Sequence, residues 1–246
     1  MKAQAMILAA GRGQRMRPLT DATPKPLLPV QGQPLMQWHM QALARGGFTR
    51  LVVNTAWLGE QIEARFGAHA PWPAGGASDI AYSHEGRDFG DALETAGGIV
   101  RALPSLGEVF WAVAGDVHAP DFRFSAPVVE SFAASGLLAQ LWLVVNPPHH
   151  PQGDFGIDAE GRALDLPADA PGPRFTFSGI GLYRAELFGT PWCEIAPGNP
   201  EGIHAPLAPL LRRAMGAGRV GAQLHTGRWT DVGTPERLAQ LNAEAA

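Results

Sequence analysis

An apolar run that stops on a glycine pair constrains this chain more than anything else in it. Residues 6–30 read MILAAGRGQRMRPLTDATPKPLLPV. Met6–Ala10 has the length and character of a buried strand. Gly11-x-Gly13 then permits backbone angles that other residues avoid, and it lets a ligand come close to the main chain. Arg15 and Arg17 follow, and Lys25 stands between Pro24 and Pro26. A strand ending in a rigid, amide-rich turn among cations suits a polyanion. The turn is not a dinucleotide fingerprint, because Met16 stands where its third glycine would be. Nor is it a P-loop, since no G-x-x-x-x-G-K-[ST] is present.

The rest of the chain supplies a setting for that turn. Leu35, Met36, His39, Met40 and Leu43 fall near helical spacing before Gly46-Gly47, with His39 read as an ordinary helix-face histidine. Residues 50–56 read as a second strand and 57–67 as a helix, whereas 68–79 reads as a loop. Residues 80–85 form a short strand, and Leu93-Glu94-Thr95-Ala96-Gly97-Gly98 opens a helix with small residues that bare its amides. Alternating strands and helices imply a parallel sheet covered on both faces, with ligands beyond the carboxyl ends of its strands. The apolar strand 109–114 ends in Gly115-Asp116, which places a carboxylate at that crevice. A helix over 125–135 has Ser125 as its candidate cap. Strands follow at 137–145, 175–183 and 219–226, a hairpin at 155–166, and helices at 206–217 and 235–245.

Composition excludes several classes. The chain has 246 residues, 46% hydrophobic and 17% charged, enough apolar content for a large α/β domain and too much for disorder. A net charge of −4 gives no general attraction to nucleic acid or anionic membrane, so any phosphate site must be a local cationic patch. Cys193 is the single cysteine, so no internal disulfide forms, which suits a reducing cytoplasm. No run is long enough to span a bilayer. Met1-Lys2 before AQAMILAAG imitates a signal peptide, but the run is short and meets Gly-Arg-Gly-Gln-Arg, so a first strand is the better reading. His149-His150 sits in a proline-stiffened loop with no matching His/Cys pair elsewhere, which argues against zinc.

Leu8–Pro29 resembles the L-A-[AG]-G-x-G-x-R-[LM]-x-P … P-K-P-[LM]-x-P element of the sugar-1-phosphate nucleotidyltransferases. The spacing is intact, with Gln14 where Ser or Thr is common. Leu93–Gly98 is similar to the family's L-[GE]-T-[AG]-G element and Trp229–Pro235 to its W-x-D-[VI]-G-[TN]-P. The resemblance implies a Rossmann-like mixed, mostly parallel sheet with helices on both faces, the nucleotide-diphospho-sugar transferase fold. It implies one domain over 1–246, with a nucleotide-binding core at about 1–145 and 205–246 and a sugar-binding insertion at about 146–204. Many members continue into a left-handed β-helix of hexapeptide repeats; none follows here, so no acyltransferase module is expected.

The implied reaction joins an NTP and a sugar 1-phosphate into an NDP-sugar and pyrophosphate. By resemblance Lys25 and Arg15 are the catalytic cations. Leu8, Ala10, Gly11, Arg12, Gly13, Glu94, Thr95 and Gly97 bind the nucleotide, and Asp116 and Asp231 hold Mg²⁺. Asn146-Pro147-Pro148-His149-His150 through Gly153-Asp154-Phe155 resembles the N-P-x-H-H-x-x-G-D-F loop of the branch that uridylates N-acetylmuramate 1-phosphate. It brings Asn146, Gly153 and Asp154 to the sugar, with Ser178 and Gly179 beside them. Glu94 in place of the commoner Gly also leans towards UTP. Two departures stand out: Ala114, where relatives often have a polar residue, and the absence of the Glu-Lys-Pro lysine, for which Arg174 is the available substitute. The expected partners are small molecules only, with no nucleic acid, membrane or protein partner implied, in the cytoplasm. Mannose, glucose or heptose 1-phosphate with another NTP, or a non-catalytic sensor, are the alternatives.

Overall fold

The computed structural model describes residues 2–73, 75–167 and 172–244. Eight strands form one sheet: β1 (Ala3–Leu8), β2 (Arg50–Thr55), β3 (His69–Pro71), β4 (Ala77–His84), β5 (Leu106–Ala114), β6 (Ala139–Val144), β7 (Thr176–Arg184) and β8 (Val220–Leu224). Their spatial order is β8-β6-β7-β5-β1-β2-β4-β3. β1 pairs in parallel with β2 and β5, β2 with β4, and β6 with β8, while β7 and β3 run antiparallel to their neighbours. The sheet is thus mixed and mostly parallel. The segment 146–204 supplies β7, which lies inside the sheet between β5 and β6.

Strand periodicity splits the apolar side chains between two layers. Met6, Phe110, Ala112, Leu141 and Leu143 share one cluster, and Ala5, Ile7, Trp111, Val113 and Trp142 share the other. Helices α1 (Leu35–Arg45), α2 (Gly59–Phe66) and α4 (Ala126–Ala134) cover the second face through Met36, Met40, Ile62 and Phe132. Helices α3 (Glu94–Ala102) and α5 (Leu207–Gly216) cover the first through Ile99, Val100, Leu210 and Leu211. At ~1.5–3 kcal/mol for each large apolar side chain buried, these two layers dominate the fold's stability. The last helix, α6 (Pro235–Ala243), joins neither layer. Its Leu238 and Leu241 form a third cluster with Met16, Val30, Leu35 and Val232.

Three local readings change. The expected loop 68–79 contains the edge strand β3, which is three residues long, ends in proline and has no period to betray it. Ser125 makes no capping bond to α4, whereas Thr234 caps α6 by accepting from the Arg237 amide. Ala245, the expected end of the last helix, lies outside the described residues, and α6 ends at Ala243.

Candidate active site

The carboxyl ends of four parallel strands open into a cavity of about 500 Å³. β1 contributes Leu8, β2 Asn54 and β5 Ala114, and Glu85 follows directly on β4. The turn after β1 forms one wall, with Ala10, Gly11, Gly13 and Arg15. Gly13 has φ +66, and a Cβ there would meet Lys25 Cβ and Thr20 Cγ2 at 3.1 Å, so only glycine fits both the backbone and the space. Met16 is fully buried in the third cluster and anchors the turn from below. Lys25, held by its two prolines at the start of a 3₁₀ turn, is 7% exposed and reaches the cavity. Glu94 and Thr95, from the start of α3, face it across the cavity. Glu94 has φ +63, a conformation that L side chains other than Asn and Asp rarely adopt and that costs of order 1–3 kcal/mol, so a carboxylate stands where the backbone favours glycine.

Two of the expected nucleotide contacts, Arg12 and Gly97, are not among the residues that line the cavity. The Arg12 guanidinium donates to the Thr20 carbonyl, pairs with Asp21 at 3.0 Å and stacks 3.7 Å over Trp57, so only its amide remains for a ligand. Gly97 does not line the cavity; its amide donates to the Ala205 carbonyl, and a Cβ there would strike Ile203 O at 2.5 Å. Gly97 is a packing glycine between α3 and the segment before α5.

Asp116 and Asp231 meet through backbone pairing. Val117–His118 and Thr230–Asp231 form a two-stranded antiparallel ribbon with Asp231 opposite Val117, and the Val232 amide donates to the Asp116 carbonyl. Asp116 accepts from Lys25 Nζ at 2.6 Å, and Asp231 accepts from the Arg237 guanidinium, which also donates to His149 Nε2 at 2.7 Å. Each carboxylate therefore already faces positive or proton-donating groups. No cluster of three or more His, Cys, Asp or Glu side chains fit for a metal occurs among the described residues. Two hard carboxylates without a full protein ligand set suit a cation that takes its remaining oxygens from substrate phosphates.

A second cavity of about 350 Å³ adjoins the first and shares Leu8, Glu94, Thr95 and Ala114 with it. Asp154 and Gly179 line it, while Asn146, Gly153 and Ser178 do not. The Asn146 amide donates to the carbonyls of Pro151 and Arg174, and its Oδ1 accepts from Thr176, so it braces the loop and does not face a ligand. Gly153 packs against Asn146, and Ser178 is fully buried with its Oγ accepting from the Ile180 amide. The paired histidines have separate duties: His149 touches Asp231, and His150 donates to Asp154, whose other oxygen accepts from the Phe177 amide at 2.8 Å. Arg174 donates to the carbonyls of Leu166 and Pro167, which ties it to the neck of its own loop and away from the missing lysine's role; residues 168–171 lie outside the described residues.

Sequence reasoning passed over Asn54 and Glu85 and read His39 only as a helix-face histidine, yet all three brace the site. Asn54 Oδ1 accepts from the Ala9 amide, and its Nδ2 donates to Glu85. Glu85, fully buried, also accepts from the Leu93 amide at 2.7 Å. This chain of bonds links the turn after β1 to the start of α3. Burial holds the Glu85 carboxyl above the usual range, against the opposing pull of those two donors. His39, 1% exposed, donates from Nε2 to the Val117 carbonyl at 2.7 Å, one residue past Asp116. It is a buried brace, and burial pushes its pKa down to about 4. Asn54 and Glu85 were legible by the rule that singled out Asp116, polar side chains at the carboxyl ends of buried strands.

Comparison with known proteins shows the family and the fold. The nucleotidyl transferase family model matches residues 4–246. The chain is 48% identical, over 98% of both chains, to an N-acetylmuramate alpha-1-phosphate uridylyltransferase of Neisseria meningitidis serogroup B. It is 32% identical to one from Caulobacter vibrioides, over 98% of this chain and 95% of that one. Among solved structures, a Bacillus anthracis protein described as a glucose-1-phosphate thymidylyltransferase superposes with a TM-score of 0.74 at 21% identity, covering 99% of this chain and 95% of that one, a likeness of fold.

Proposed function

This chain belongs to the nucleotidyl transferase family as a sugar-1-phosphate nucleotidyltransferase, and from that premise we propose that it makes UDP-N-acetylmuramic acid from UTP and N-acetylmuramic acid 1-phosphate, with Mg²⁺, in the cytoplasm. The observation that carries the substrate choice is the 48% identity, over 98% of both chains, to a protein named for that reaction. A cell making this product would use it to rebuild its wall from recovered sugar.

The chemistry follows from charge. An oxygen of the sugar phosphate attacks the α-phosphorus of UTP in line with the departing pyrophosphate. Both reactants are anions, so repulsion and misalignment are the obstacles. Neither a covalent nucleophile nor a base is needed, because the attacking phosphate is largely ionised at neutral pH. Positioning can supply ~7–11 kcal/mol. Lys25 is rigid, buried and next to Asp116, so it suits the bridge between the two phosphates. Arg15, exposed at the rim, and the amides of Gly11 and Gly13 suit the leaving pyrophosphate. Asp116 and Asp231 would hold Mg²⁺, which supplies charge neutralisation on the phosphate oxygens. Lys25 and Arg237 keep those carboxylates satisfied in its absence.

The test is pyrophosphate release across a grid of nucleotides and sugar 1-phosphates, with Mg²⁺ and with EDTA. Turnover with UTP and N-acetylmuramic acid 1-phosphate should exceed that of every other pair and vanish with EDTA. Lys25→Ala and Asp116→Asn should each lower kcat ~10²–10³-fold, the scale of losing one preorganised charge. A different best pair overturns the substrate reading, and near-full activity in either variant overturns that residue's role.

A further inference from the structure

We infer that Arg212 reads a carboxylate carried by the sugar itself, which in N-acetylmuramic acid is that of the lactyl ether. The inference rests on the substrate reading above. The two cavities divide the cations between them. Lys25 and Arg15 line the first, where the phosphates belong, and neither lines the second. Arg212 is the one cationic side chain among the described residues that lines the second. A neutral sugar 1-phosphate carries all its charge on the phosphate, so a separate cation at the sugar end has nothing to pair with. An acidic sugar gives it a partner.

The position of Arg212 is built. On α5, Leu207, Ala208, Leu211 and Arg212 fall on one face, and all four line the second cavity. Its neighbour Arg213 points elsewhere and donates from Nη1 to the carbonyls of Trp192 at 2.7 Å and Pro191 at 3.5 Å. Among the described residues Arg212 makes one hydrogen-bonded ion pair, from Nε to Asp165 at 3.2 Å, between half-exposed side chains. Its two terminal amino groups have no hydrogen-bond partner among the described residues. They form the fork that binds a carboxylate in bidentate fashion. Phe155, Phe177 and Leu211 line the same cavity and give it an apolar wall that accommodates methyl groups. The nearby carboxylate Asp154 already accepts from the Phe177 amide and His150, so it does not claim the guanidinium.

N-acetylmuramic acid 1-phosphate and N-acetylglucosamine 1-phosphate differ only by the lactyl ether, which makes them the matched pair for the test. With UTP, Arg212→Gln should lower kcat/KM for the first about 10- to 100-fold, through KM, the scale of one charge-assisted contact. Activity on the second should stay within about two-fold, the range of a surface substitution. Asp165→Asn frees the guanidinium and should lower KM for the first substrate by up to about five-fold, the value of an exposed pair. Equal loss on both sugars, or no loss on either, overturns the role of Arg212. If the wild type ignores N-acetylmuramic acid 1-phosphate, the substrate reading falls separately. The same variant is then compared on glucuronic acid 1-phosphate and glucose 1-phosphate. Selective loss on the acidic sugar upholds the carboxylate role, and equal or no loss overturns it.

Discussion

His39 sits on α1, away from both cavities, yet it fixes the carbonyl of Val117, the residue after Asp116. Burial keeps it neutral, with its pKa down to about 4 from 6.5. The unfolded chain takes up a proton at this residue as pH falls below 6.5, and the folded chain resists until about 4. Stability is therefore lost across that window, by on the order of 3 kcal/mol from His39 at about 1.4 kcal/mol per pH unit. His118, also lowered to about 4 by desolvation, acts in the same direction. Glu85 acts in the opposite direction, since its raised pKa means that the folded chain gains a proton more readily as pH falls. Denaturant unfolding at pH 7 and pH 5 should show wild type less stable at pH 5. His39→Gln, which keeps a donor and cannot titrate, should narrow that difference by at least half; an unchanged difference would mean that His39 is not the sensor.

Between elements, the important links are polar. Ala9, Asn54, Glu85 and Leu93 form one run of hydrogen bonds from the end of β1, across β2 and β4, to the start of α3. It ties the turn after β1 to the start of α3, where Glu94 and Thr95 line the same cavity. Gly98 makes room for it, because a Cβ there would lie 2.5 Å from Glu85 Oε1. In Glu85→Gln an amide nitrogen must face a donor, so one link breaks at a cost of about 1–3 kcal/mol. The expected kinetic result is a KM for UTP raised more than kcat is lowered; a pure kcat loss would show that the run does not position the nucleotide. How much of this was legible follows from how the elements are coded. Apolar strands such as 109–114 and the α1 stripe announce themselves by period, Asp116 by its place after a strand, and Lys25 by the two prolines that flank it. The ribbon Val117–His118 with Thr230–Asp231 is too short for any period and pairs residues more than a hundred positions apart. The duties of Asn146 and Ser178 depend on which neighbour their polar atoms find, and the sequence does not encode that locally.

At the scale of the whole molecule, the first and last parts of the chain meet. Met16 packs with Leu238 and Leu241, and the Gln31 amide donates to Asn242 at 2.7 Å. Met16→Ala should cost about 2–5 kcal/mol as a buried large-to-small change. It should also raise KM for UTP, because the turn it anchors lines the cavity; loss of stability with KM unchanged would separate the anchor from the site. The same contact makes one wall of the cavity depend on residues far along the chain. Gln31 and Asn242 are 211 positions apart, so this seat is among the most non-local contacts of the fold, and such contacts close only after long loops have been brought together. A protease cut that released α6 from the folded protein would leave both layers of the sheet packed and take away the seat beneath the turn that lines the first cavity.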